Sequence, residues 1–126
     1  MSRQIVSTDK APAAIGPYSQ AIKAGGFVFT SGQIPIVPAS GKIESTDITG
    51  QTEQAMKNLE AVLKAAGTDF SKVVKTTIFL VDLTHFAAVN EIYGKRFAKE
   101  PPARSCVQVS KLPKDSLVEI EMVALA

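Results

Sequence analysis

Apolar and polar positions alternate along Phe27-Val28-Phe29-Thr30-Ser31, so Phe27, Phe29 and Ser31 fall on one side of an extended strand that Gly32 ends. Ala24-Gly25-Gly26 separates this run from Ser19–Lys23, and glycines between two β-capable segments predict a hairpin. From Ile34 to Ser45, prolines and Gly41 predict a surface loop. Ala55, Met56, Leu59, Val62, Leu63 and Ala66 then follow the spacing of an amphipathic helix, with Gly67 as its C-cap. Thr46, Asp47 and Thr49 are all chemically suited to cap its N-terminus.

Val73–Val81 is rich in β-branched residues and predicts a buried strand, with Val74, Ile78 and Leu80 on one side and Val73, Phe79 and Val81 on the other. Thr84 is placed to cap a second helix whose apolar side is Phe86, Val89, Ile92, Tyr93 and Phe97, and Pro101-Pro102 forbids its continuation. Ser105–Val109 and Leu117–Leu125 are two further strands, and the Lys-Leu-Pro-Lys-Asp turn between them makes them expected antiparallel neighbours. The order predicts a single α+β domain over residues 1–126, with two helices on one face of a mixed sheet. Both sides of the Val73–Val81 strand are apolar, so whichever face the helices leave uncovered would expose a large apolar patch on a monomer, which predicts a homo-oligomer.

At 126 residues and 45% hydrophobic content, the chain can close one core without disulfides or a structural metal. Fourteen Lys and Arg against twelve Asp and Glu is too even a balance for the basic surface that nucleic-acid binding uses. Met-Ser-Arg-Gln-Ile lacks the apolar centre of a secretory signal, and no apolar run approaches a bilayer span. Cys106, the single cysteine, can form no internal disulfide and suits a reducing compartment. These features predict a soluble, cytoplasmic protein, with a mitochondrial or nuclear pool left open. His85, the single histidine, and Cys106 offer no metal-ligand spacing, and nucleotide-binding glycine motifs do not occur, so neither metal nor cofactor is expected.

Charge on short, apolar strands marks Pro102–Glu121. Arg104 follows the stiff Pro101-Pro102-Ala103 segment, and a pre-positioned guanidinium suits bidentate capture of a carboxylate or phosphate. A structural ion pair with a nearby acid explains the same residue equally well. Glu119 and Glu121 share one side of their strand: this is either a hydrated edge or a place where one carboxylate activates water, its proton affinity raised by the other. Cys106 points to the same side as Arg104 and, without a positioned base, reads as wall rather than nucleophile. Tyr18, after Gly16-Pro17, reads as packing. Asn90 falls on the exposed side of the second helix, with no chemistry of its own.

Ala13–Gln20, Thr30–Pro35, Val73–Thr77, Pro102–Cys106 and Leu112–Asp115 through Glu119–Glu121, in that order and spanning nearly the whole chain, resemble the RidA/YjgF/UK114 family. The resemblance implies a chorismate-mutase-like α+β fold with a mixed six-stranded sheet, and a homotrimer whose clefts lie between subunits. It implies hydrolysis of 2-iminobutanoate and 2-iminopropanoate, released by pyridoxal-phosphate enzymes, to 2-oxo acids and ammonia, without metal or cofactor. The family's carboxylate-binding arginine falls on Arg104 and its water-handling acid on Glu119. Its other cleft positions fall on Tyr18, Ser31, Gly32, Asn90 and Cys106.

Some family members are described as translation inhibitors or ribonucleases. Here aromatics are 6% of the chain, and neither an RNP-like motif nor a histidine pair is present, which argues against action on RNA. A non-catalytic binder of carboxylate metabolites, or a holdase, would use the same Arg104, and only Glu119 separates it from an enzyme.

Overall fold

The computed structural model describes residues 2–126. A short strand, β1 (Gln4–Val6), pairs antiparallel with β2 (Ala21–Ala24), which pairs in turn with β3 (Phe27–Thr30). The β2–β3 turn is the expected double glycine, with Gly25 at φ 59° and Gly26 at φ 83°. Two successive positive φ values give the turn whose twist matches the paired strands. The region expected to be loop holds a two-stranded ribbon, β4 (Ile36–Val37) with β5 (Lys42–Ile43), each strand too short to show alternation.

Helix α1 runs from Ile48 to Ala65. Asp47 is its N-cap: its Oδ1 accepts from the Gly50 N–H at 2.7 Å, which settles the choice among the three candidate residues. At the other end Gly67, at φ 83°, donates to Lys64 O and Thr68 donates to Leu63 O, both at 3.0 Å, closing the helix in a left-handed cap.

The strand β6 (Val73–Leu80) leads through a 3₁₀ turn at Leu83–His85 into α2 (Phe86–Gly94), then β7 (Ala103–Gln108), and the chain ends in β8 (Val118–Leu125). Thr84 does not cap α2. Asp82, two residues earlier, caps the 3₁₀ turn instead, accepting from Thr84 N at 2.9 Å and Thr84 Oγ1 at 2.7 Å, because its carboxylate is the stronger acceptor.

The sheet order is β1-β2-β3-β8-β6-β7, so the last two strands are not the neighbours the turn between them suggests. β7 runs parallel to β6, and β8 lies on the far side of β6, antiparallel to both β6 and β3. A helix between β6 and β7 makes a crossover, and a crossover delivers a parallel strand, which leaves the other flank of β6 for β8. The register shift between Val73 and Lys75 also changes the expected faces: Val73 is buried and Val74 exposed, ahead of buried Thr76, Ile78 and Leu80.

The core lies between the sheet and the helices, where Met56, Leu59, Leu63 and Val89 meet Ile78, Leu80, Val118, Ile120 and Met122. Among the described residues the opposite sheet face has no covering layer, and there Phe27 and Phe29 are 37% and 45% exposed, beside Ile5, Val107 and Leu125.

Candidate active site

Glu119 stands on the uncovered sheet face, paired with Phe79 of β6. The irregular step after β3 returns to the sheet through Gln33, whose N–H donates to Ile120 O at 2.8 Å while Ile120 N–H donates to Gln33 O at 3.1 Å. That bridge lays Gly32 against the glutamate: any β-carbon at position 32 would overlap the Glu119 carboxylate. Gly32 is therefore needed for close approach. Ser31 beside it donates from Oγ to Ser19 O at 2.6 Å, so its hydroxyl ties the wall together.

Tyr18, Ser31, Gly32, Ile34, Lys114 and Glu119 are among the residues lining a cavity of about 570 Å³. Burial among these largely apolar walls pushes the Glu119 carboxyl above the usual carboxylate range, and the charge of Glu121 adds to it. Gln20, buried, holds the segment bearing Pro12 and Tyr18: its Oε1 accepts from Thr8 N at 2.7 Å, and its Nε2 donates to Pro12 O at 2.8 Å. Nothing in the sequence pattern singled out that glutamine beyond its place in a motif.

Arg104 occupies a different place. In register with Thr76, it sits on the helix-covered side of edge strand β7, and Nη1 donates to Asn90 Oδ1 at 2.6 Å. Its guanidinium carbon lies 5.2 Å from the Phe86 ring centroid and 5.0 Å from that of Tyr93. Among the described residues no carboxylate lies within salt-bridge distance of it, so it forms no ion pair within its own chain. Asn90, Tyr93, Phe97, Pro101, Pro102 and Arg104 border a second cavity of about 460 Å³. Asn90 is half-buried and bonded to the arginine, where the helix pattern placed it on an idle exposed side.

Cys106 is in register with Ile78, so it shares the side of Arg104. Burial pushes its thiol up, against a smaller downward pull from the Arg104 charge, so at neutral pH it stays protonated. His85 makes no hydrogen bond to it among the described residues, and its buried Nδ1 has no partner. The chain thus brings Tyr18, Ser31, Gly32 and Glu119 together on one side and Asn90, Arg104 and Cys106 on the other, and it does not bring the two sets together. No group of three or more His, Cys, Asp or Glu among the described residues is placed to hold a metal ion.

The chain thus carries a two-helix layer on one face of a mixed six-stranded sheet, an arginine hydrogen-bonded to Asn90 beside one cavity, and a glutamate whose carboxyl is shifted upward by burial beside the other. Residues 8–126 match the family described as Endoribonuclease L-PSP, and the chain belongs to this family, the RidA/YjgF group that its motifs resemble. It is 53% identical over 124 residues to the chloroplastic Reactive Intermediate Deaminase A of Arabidopsis thaliana, a match covering 98% of this chain and 66% of that one. It is 50% identical over 123 residues to the 2-iminobutanoate/2-iminopropanoate deaminase of Homo sapiens, covering 98% and 90% of the two chains. A Rid-family protein of unknown function from Yersinia pestis superposes with a TM-score of 0.96 at 50% identity, covering 99% of this chain and all of that one.

Proposed function

We propose that this protein hydrolyses small 2-imino acids, such as 2-iminobutanoate and 2-iminopropanoate, to 2-oxo acids and ammonia. The observation that carries this is Arg104, a guanidinium held by Asn90 with no carboxylate counter-ion among the described residues, which suits the one fixed anionic group of such a substrate. The human and Arabidopsis relatives named as deaminases support the same chemistry.

Arg104 clamps the carboxylate, and a water beside Glu119 attacks the carbon of the protonated imine. Glu119 takes the proton that the attacking water loses and, as an acid, returns it to the nitrogen of the tetrahedral adduct. The C–N bond then breaks and the C=O bond forms, with the hydroxyl proton leaving through solvent or Glu119. The protonated imine and water become 2-oxo acid and ammonium, in balance. Because the imine is already electrophilic, positioning with general-base help of about 10²- to 10⁴-fold suffices. Tyr18, Ser31 and Gly32 shape the wall beside Glu119, and Cys106 lines the arginine side.

Since Arg104 and Glu119 lie on opposite faces of one chain, the reading joins the Arg104 half of one subunit to the Glu119 half of a neighbour in a homotrimer. The uncovered apolar sheet face supports such an assembly. The test supplies threonine and a threonine dehydratase, traps unhydrolysed imine with semicarbazide, and follows 2-oxobutanoate. Faster release with this protein, lost in Arg104→Ala with the assembly intact, is the expected result. An active Arg104→Ala variant would sink the assignment.

A further inference from the structure

We propose that Phe86 and Tyr93 are positioning residues for Arg104, forming an aromatic platform that holds the guanidinium ready for an incoming carboxylate. The inference rests on Arg104 being the carboxylate anchor. Phe86, Asn90 and Tyr93 follow one another at intervals of four and three residues, so they form a single stripe on α2, and every member meets Arg104. Both rings lie close to the guanidinium carbon, at 5.2 and 5.0 Å, within the range of a cation–π contact.

A long side chain on an edge strand is otherwise free to choose among many rotamers, and here the choice is restricted from two directions. The rings limit where the guanidinium can lie, and Asn90 Oδ1 fixes its rotation by accepting from Nη1 at 2.6 Å. Of the five N–H donors an arginine carries, the bond to Asn90 uses one, leaving others for a substrate.

Tyr93 is itself locked. It is buried, its Oη is hydrogen-bonded with Thr76 Oγ1 at 2.7 Å, and the ring of Phe97 braces it at 4.7 Å. Thr76 is the β6 residue in register with Arg104, so the same strand pairing that places the Arg104 backbone also places the ring beside its head. The consequence is pre-organisation: the anchor need not be ordered when substrate arrives, so the effect falls on binding rather than on the chemical step.

Phe86 is the cleaner site to test, because it is 38% exposed and its truncation leaves the core intact. In Phe86→Leu, the Kd for 2-oxobutanoate by calorimetry and the KM for 2-iminobutanoate are expected to rise together by about three- to tenfold, with kcat within about twofold of wild type. Phe86→Tyr restores both. Tyr93→Phe, which keeps the ring and removes its tie to Thr76, gives a smaller rise in the same direction. In an Arg104→Lys background, Phe86→Leu adds little, since a compact ammonium does not use the rings as the planar group does.

The Arg104 Nε–H resonance reads the geometry without any turnover: it is ring-shifted in wild type and moves in Phe86→Leu. Unchanged Kd and KM in Phe86→Leu, an equal fold-loss in the lysine background, or an unmoved resonance would overturn the platform. A wild type that neither binds 2-oxobutanoate nor hydrolyses imine, with the shifted resonance present, would instead overturn the hydrolase reading and the positioning role with it.

Discussion

Arg104 and Glu119 leave the sheet through opposite faces. On β6, Arg104 is matched to Thr76, whose side chain enters the core, while Glu119 is matched to Phe79, three residues further on and facing the uncovered side. An odd offset along a pleated strand reverses the face, so no rotamer change within one chain joins the guanidinium to the glutamate's cavity. Within one chain the two charged groups border different cavities.

Glu119 sets a pH dependence. Its carboxyl is held above the ordinary glutamate value of 4.5, mainly by burial and secondarily by Glu121, and the form that activates water is the carboxylate. kcat/KM should therefore rise with pH through that elevated value. Glu119→Gln should remove this limb and lower the rate by about 10²- to 10⁴-fold. For stability the sign is opposite: the folded chain holds this proton more tightly than the unfolded chain, so stability falls as pH climbs from 4.5 through the raised value. Thermal scans should show the Tm advantage of Glu119→Gln over wild type growing across that window. A flat difference would place the titration elsewhere.

Gly32 separates activity from stability. An alanine there must displace the Glu119 side chain, whose Oε2, Cδ and Cγ are the three atoms nearest to an added β-carbon. Gly32→Ala should change the unfolding free energy by less than about 1 kcal/mol and reduce kcat at least tenfold. Denaturant titration beside steady-state kinetics checks both. A fully active Gly32→Ala variant would show that Glu119 does not work from the position described.

Much of this arrangement was legible in the sequence, and the misses have physical causes. The glycine hairpin, α1 with its glycine cap, and the strand character of Val73–Val81 follow from local rules that local chemistry obeys. The Lys111–Asp115 turn was visible too, but a turn reports that the chain reverses, not which strand lies between its arms. Here β6 lies between. The bulge after Val73 depends on pairing with β8, which alternation along one strand cannot show. Arg104 and Glu119 stood out as charges on apolar strands, whereas Phe86 and Tyr93 looked like ordinary core positions of a helix. Asn90 was misplaced because a helical pattern locates the core, and the arginine reaches that helix from the sheet's edge. The need for Gly32 appears only once Glu119 is seen against it.

Cys106 should behave as a sluggish thiol. Burial raises its pKa more than the Arg104 charge lowers it, so the thiolate is scarcer at neutral pH than in a free cysteine. Iodoacetamide should modify it more slowly than glutathione at pH 7, with the rate profile displaced to higher pH. Faster modification than the free thiol would indicate an activated nucleophile and contradict its role as wall.

The claim that one cleft needs two chains is tested most directly by mixing defects. Arg104→Ala and Glu119→Gln chains carrying different tags are co-expressed, and assemblies holding both tags are isolated and assayed for 2-iminobutanoate hydrolysis. In a mixed trimer one cleft of three receives Arg104 and Glu119 from intact partners, so about a third of wild-type turnover should return, although each parent alone is inactive. Mixed assemblies as inactive as their parents would contradict the shared site.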